Sequence, residues 1–194
     1  MAPQTNKSAR LLGIDGKPLE LTAFELDTQR VSLRPISMGY AQDIFREFTS
    51  RIARYMSPKS PERIEETHDF IDSALTAMDA GKGLPLVILE RNTGEFLGCC
   101  GLNGEGNPQR PELGVWIKLS AHGNGYGKEA IVALKRWADT NLSYEYMTYP
   151  VDRRNNASRR IPEALGGSIF TEYQSPAQDG HMLDFVVYNI LADG

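Results

Sequence analysis

Between His122 and Lys128 the chain reads His-Gly-Asn-Gly-Tyr-Gly-Lys, with glycines at three alternate positions just ahead of a helical pattern. Glycine lets a backbone bend sharply and lie close against a ligand. The first N–H groups of a helix have no partners inside it, and together with the positive end of the helix dipole they form a site for an anion such as a pyrophosphate. The spacing is G-x-G-x-G, not the G-x-G-x-x-G of a dinucleotide-binding fold. A P-loop would need Ser or Thr after Gly127-Lys128, where Glu129 stands. Glycine motifs this short also occur in plain turns that bind nothing, so the surrounding elements have to decide.

A strand must deliver this loop, and Glu112 to Leu119 alternates strictly: Leu113, Val115, Ile117 and Leu119 face one way, Glu112, Gly114, Trp116 and Lys118 the other. A helix from about Gly125 to Asn141 carries Ile131, Leu134, Trp137 and Ala138 on its apolar face. Upstream, Val31 to Ile36 reads as a strand, with Leu19 to Leu26 as a short strand or extended lead-in. Met38 to Ile52 reads as one helix capped by Ser37. Ser60-Pro61-Glu62 signals a second helix start, and Gly81 its end. His68 on that helix's stripe reads as a packed, partly exposed side chain. Leu84–Arg91 and Phe96–Leu102 are expected strands joined by Asn92-Thr93-Gly94-Glu95. Tyr144–Val151 is a further strand, Asn155–Leu165 a short helix stopped by Gly166-Gly167, and Ile169–Tyr173 with Met182–Leu191 a closing pair. The order implies one α+β domain over 19–194 with a mixed sheet, preceded by a polar, loosely held arm over 1–18.

His122 to Gly127 resembles the coenzyme A loop of the GNAT N-acetyltransferases, whose pattern is Gln/Arg-x-x-Gly-x-Gly/Ala; His122 stands where that family usually has Gln or Arg. Gly125-Tyr126-Gly127-Lys128-Glu129-Ala130 is similar to the helix start of its RimJ/RimL-like branch. Thr28 to Pro35, Gly94 to Gly98, and Asn155-Asn156-Ala157-Ser158 followed by Glu163 to Gly166 resemble further blocks of that branch, in order, across about Thr28 to Ile190. The resemblance implies a GNAT fold: a mixed, mostly antiparallel sheet, flanked by about four helices, whose central parallel strands Glu112–Lys118 (the fourth) and Tyr144–Val151 (the fifth) splay around acetyl-CoA. Backbone groups around Trp116, Ile117 and Lys118 would pair with the pantetheine arm. His122, Gly123, Asn124, Gly125, Tyr126, Gly127 and Lys128 would surround the pyrophosphate, and Asn155 would hydrogen-bond the pantetheine.

Acetyl transfer to an amine needs a free base, a donor for the oxyanion and a proton for the departing thiolate. The resemblance assigns the last to Ser158, in a helix that lacks the tyrosine many GNATs use, and the oxyanion donor to an amide near Ile117. Glu112 is the expected base, with Tyr149, Asp184 and His181 as rivals. His122 offers the pyrophosphate less charge than Arg would, which Lys118, Lys128 and Arg160 could offset. Pro162 threatens to bend the helix that holds Ser158. The acceptor groove would lie among the first two helices and the Gln174–His181 loop, with Trp116, Tyr149 and Tyr173 as candidates for its apolar wall. The expected function is N-acetylation of a primary amine on a protein N-terminus, an amino acid or a small molecule; a non-catalytic acyl-CoA-binding sensor or assembly module is the alternative. Monomer and homodimer are both open.

Composition bounds the partners. A net charge of −4 argues against a nucleic-acid binder, which needs a strong positive field. Hydrophobic content of 41 % and charged content of 24 % are those of an ordinary globular domain. Cys99 and Cys100 are adjacent and so point to opposite faces of a strand, which leaves neither a disulfide framework nor a metal site to expect. A polar start and no apolar run near 20 residues imply a cytoplasmic protein that does not engage membranes.

Overall fold

The computed structural model describes residues 10–192. One eight-stranded sheet runs in the order β1-β2-β3-β4-β5-β6-β8-β7. Its strands are β1 (Leu26–Asp27), β2 (Val31–Pro35), β3 (Gly83–Glu90), β4 (Phe96–Asn103), β5 (Glu112–Ile117), β6 (Tyr146–Asp152), β7 (Ser168–Pro176) and β8 (Met182–Leu191). Every neighbouring pair is antiparallel except β5 and β6, which are parallel. Among the described residues, five α-helices accompany the sheet: α1 (Ala41–Glu47), α2 (Ser50–Ala53), α3 (Ile64–Asp79), α4 (Tyr126–Asn141) and α5 (Asn156–Ala164). Among the described residues no helix is long and apolar enough to cross a membrane.

Strand parity assigns the two faces. Leu113, Met147, Tyr149 and Val151 join Ile131, Leu134 and Ala138 of α4 in the larger core. Val87, Phe96 and Cys99 meet Ile44 of α1 and Ile71 of α3 in the smaller core on the opposite face, with Trp116 packed against them. Cys100 belongs to the first cluster and Cys99 to the second, so the two buried thiols are free and separated by the sheet.

Three expectations change. The single helix over Met38–Ile52 is a 3-10 turn followed by α1 and α2, because the chain leaves helical geometry at Phe48 (ψ 68°) and becomes extended at Thr49 (ψ 166°). The helix anticipated at Ser60-Pro61 begins three residues past Pro61, with extended Arg63 at its cap. The split gives five α-helices among the described residues, beside the expectation of about four. The anticipated arm also divides. Its first nine residues lie outside the described residues, but from Leu11 the chain is bound to the domain. Leu11 is 2 % exposed, its N–H donates to Gly81, and the Leu12 carbonyl accepts from Ser143. The apolar Leu11-Leu12 pair, embedded in polar sequence, is what anchors it.

Candidate active site

The parallel strands meet at one end only. Glu112 is level with Thr148, and the Thr148 amide donates to the Pro111 carbonyl at 2.9 Å. Beyond that point no residue of β5 is registered with β6. The strands therefore form a fork that is closed at Glu112 and opens toward Ile117 and Asp152. At about 3.4 Å per residue, the free stretch of β5 is roughly 17 Å long.

Hydrogen bonding shows which backbone groups face the gap. The Lys118 amide donates to Leu97 of β4, while the Pro111 carbonyl serves β6. Alternation then turns the peptide groups of Trp116 and Lys118 toward β4, and those of Val115 and Ile117 toward the open fork. This corrects the expected contact set: Val115 replaces Trp116 and Lys118 as a source of free backbone groups beside Ile117. The strand pattern was visible in the sequence; which parity faced β4 was not. The His122 ring meets the Ile117 carbonyl at 2.7 Å and braces the end of β5.

The glycine loop follows at once. Gly123 and Gly125 adopt left-handed φ values of 80° and 78°, and Gly125 caps α4. A β-carbon at Gly127 would lie 3.2 Å from Ile117, so the third glycine lets α4 sit tightly on β5. Among the described residues, none of the six amides from Gly123 to Lys128 donates a hydrogen bond, and the α4 cap has no side-chain acceptor. Alternating backbone conformations of this kind create a concave nest for an anion. Asn124 shapes it by donating to the Ala121 and His122 carbonyls.

A clamp from the β1–β2 turn steadies the nest. Glu129 accepts from the Thr28 hydroxyl (2.6 Å), the Arg30 amide (2.9 Å) and the Arg30 guanidinium (2.7 Å), while Arg30 also donates to the Asn124 carbonyl and lies over Tyr126. Partial burial pushes the Glu129 carboxyl upward, but these bonds outweigh it and hold the pKa below the ordinary value. Thr28 and Arg30 were part of the resemblance; their role in tying the loop was not legible. Lys118, expected as a compensating cation, is 7 % exposed with its ammonium on Glu95. Lys128 and Arg160 remain exposed.

On the far side of the fork, α5 begins with Asn155, whose side-chain oxygen accepts from the Ser158 amide at 3.2 Å. Asn155 thus caps the helix. Ser158 shares a 2.8 Å hydrogen bond with Tyr149, a β6 phenol that is 2 % exposed. Burial pushes that phenol up to about 12, so at neutral pH Tyr149 is a proton donor and not a base. It also faces α5, opposite to Trp116, which removes it from the acceptor wall. Pro162 is accommodated inside α5, where its missing N–H leaves the Ser158 carbonyl without its helical donor.

Glu112, Gly114 and Trp116 share the other face. A β-carbon on Gly114 would meet nothing within 4 Å, so space lies between Glu112 and Trp116. Trp116 packs on Phe48 and Phe96, with ring centroids 5.1 and 5.8 Å away. The Glu112 carboxyl is reachable by water yet crowded by the closed end of the fork, and this desolvation raises its pKa. Its charge is felt by Tyr173, which stacks on Phe185. Of the rival bases, Asp184 pairs with Arg153, and His181 pairs with Asp179 on the β7–β8 loop.

This geometry has known counterparts. The Bacillus subtilis (strain 168) protein named uncharacterized N-acetyltransferase YoaA is 26 % identical over 171 residues, covering 86 % of this chain and 96 % of that protein. The crystal structure of an acetyltransferase from Agrobacterium tumefaciens C58 is 26 % identical, with a TM-score of 0.70 over 88 % of this chain and 96 % of that one. RimL, a ribosomal L7/L12 α-N-protein acetyltransferase solved with coenzyme A, shares the fold at a TM-score of 0.76 and 15 % identity, over 88 % and 99 % of the two chains. The family described as the acetyltransferase (GNAT) domain matches residues 30–168, which contain both arms of the fork, the glycine loop and α5, and the chain belongs to this family of acetyltransferases.

Proposed function

We propose that the protein transfers an acetyl group from acetyl-CoA to a primary amine by direct attack in a ternary complex. The observation that carries this reading is the row of six unpartnered amides at the start of α4, set beside the free edge of β5. The nest suits a pyrophosphate, and the Val115 and Ile117 peptide groups suit an amide-bearing arm laid along them as an added strand. Lys128 and Arg136, beside a groove of about 470 Å³ against α4, supply cations for the remaining phosphate. Acetyl-CoA contributes the activated thioester; the protein contributes position and proton transfer.

In this reading Glu112 takes the proton from the amine, directly or through a water, on the face opened by Gly114. The Ile117 or Val115 amide donates to the oxygen that gains negative charge. Ser158, backed by the neutral Tyr149 phenol, donates to the departing sulfur. The ordered sequence blocks favour the RimJ/RimL-like branch, and the action of the structurally similar RimL on a protein N-terminus supports peptide amines as the acceptor class.

Acetyl-CoA should raise the melting temperature while NAD and ATP do not; a ligand specific to the folded state adds about 2.7 kcal/mol at 100 times its dissociation constant. Amine-dependent thiol release then tests turnover. Absence of any shift at millimolar acetyl-CoA would remove the donor assignment. For the base, the rate should climb as pH rises through the elevated Glu112 pKa. Glu112→Gln should lose that limb and fall about 100-fold where the amine is still protonated, with the deficit shrinking at alkaline pH. A Gln variant that keeps the wild-type pH profile would take Glu112 out of this role.

A further inference from the structure

On the acceptor face, at the open end of the fork, a cavity of about 310 Å³ is lined by Arg51, Arg54, Tyr55, Arg154, Asp179 and His181. Three segments far apart in sequence build it. The Gln178 amide donates to the Ser57 carbonyl at 2.9 Å, the Lys59 amide to the Gln178 side chain at 3.2 Å, and the His181 ring meets the Arg54 carbonyl at 3.1 Å. Arg54 and Arg154 both lie over the Tyr55 ring, 5.2 and 5.7 Å from its centroid. The carboxylates at hand are engaged: Asp152 holds Arg154, and Asp179 holds His181. Among the described residues, neither Arg51 nor Arg54 has a carboxylate within ion-pair distance.

The charges of Arg51 and Arg54 thus meet no carboxylate of the described residues, and an oxyanion in the cavity supplies an acceptor for their paired N–H donors. The chain as a whole carries −4, so this cluster reverses the local sign. Along β6, the four steps from Thr148, level with Glu112, to Asp152 span on the order of 13 Å, and Arg154 lies just beyond. That is too far for one α-amino acid to put its amine at Glu112 and its carboxylate at the arginines.

We infer that the acceptor is an extended acidic molecule, a peptide N-terminus with carboxylate side chains in its first few residues, whose oxyanions are held by Arg51, Arg54 and Arg154 while its amine reaches Glu112. This deepens the acetyl-transfer reading and rests on it for the location of the amine. Cationic acceptors such as polyamines are repelled at the same place.

Calorimetric titration tests it on the protein both without coenzyme A and with coenzyme A at millimolar concentration. The probes are a five-residue peptide with a free N-terminal serine followed by four glutamates, its glutamine and lysine counterparts, and ω-aminooctanoate beside octylamine. The glutamate peptide should bind at least tenfold more tightly than the glutamine peptide, and the lysine peptide most weakly. R51A/R54A should reduce the glutamate preference to within twofold while acetyl-CoA stabilises that variant as it does the wild type. Equal affinity for the glutamate and glutamine peptides, or a preference that survives in the double variant, would overturn the inference. A preference confined to ω-aminooctanoate over octylamine would overturn the peptide assignment and leave a small oxyanion-bearing amine. These titrations read the arginines without turnover, so failure of acetyl-CoA to stabilise the protein would count against the donor reading alone.

Discussion

Gly125→Val should abolish stabilisation by acetyl-CoA and lower acetylation at subsaturating donor by at least about 100-fold. Gly125 has φ 78°, and a β-branched side chain there costs more than the roughly 1–2 kcal/mol an ordinary L-residue spends in the left-handed region. The variant can escape that strain only by flipping the peptide, which turns amides of the nest away from a shared centre. Gly125→Ala carries the lesser penalty and should fold with weakened binding, so the pair separates strain from steric block. The measurement is the acetyl-CoA-dependent melting shift of each variant beside its unliganded melting temperature. A valine variant that folds and binds acetyl-CoA normally would place the pyrophosphate elsewhere.

Asp152→Ala should lower stability at neutral pH by about 2–3 kcal/mol, which for a chain of this size is a fall of very roughly 5–10 °C. Asp152 is fully buried and accepts from the Arg154 amide (2.9 Å), the Arg154 guanidinium (2.8 and 2.7 Å) and the Asp184 amide (3.0 Å). Burial pushes its carboxyl up, but these bonds prevail and set the pKa at about 2, below the ordinary 3.8. A carboxylate whose folded pKa is depressed stabilises the fold above the unfolded pKa and loses that contribution as pH falls through the folded one. The lost amount is about 2 kcal/mol, released between about pH 4 and pH 2. The melting-temperature gap between wild type and Asp152→Ala should therefore be full at pH 7 and close progressively below pH 4. The released Arg154 is half exposed and can hydrate, which keeps the estimate at the lower end for a broken buried pair. A gap that is independent of pH would assign the loss to packing instead.

The elements that could be read from the sequence are those in which local pattern and tertiary environment agree. The alternation of Glu112 to Ile117 and the stripe of α4 are each satisfied by one core face, and Gly94, Gly81 and Gly166 sit at the positive φ that their turns require. Met38 to Ile52 misled because its apolar spacing continues through Phe48 and Thr49, where the backbone departs from the helix and Phe48 instead packs on Trp116. In the site, residue types were legible and direction was not. Which strand edge is free depends on β4 being the partner of β5, a pairing between distant residues, so Val115 could not be told from Trp116. Lys118 looked like a surface cation because nothing local announces Glu95, 23 residues upstream. Arg51, Arg54 and Arg154 carry no local motif, and only the meeting of the α2 segment, the β6–α5 connection and the β7–β8 loop brings them together.

The Arg30–Glu129 clamp has a consequence for the order of assembly. In the acetyl-transfer reading, the loop that would receive the donor is steadied by residues about a hundred positions earlier, with Arg30 and Thr28 reaching Glu129 and Asn124. A nascent chain that has made α4 but has not yet docked β2 would have the glycines in sequence without the scaffold that fixes their amides. Competence to bind the donor is then acquired late, when long-range pairing is complete, because contacts of high sequence separation require the most loop closure. Acetyl-CoA would accordingly act as a selective ligand for finished molecules, and its concentration would set how small a share of them reopens.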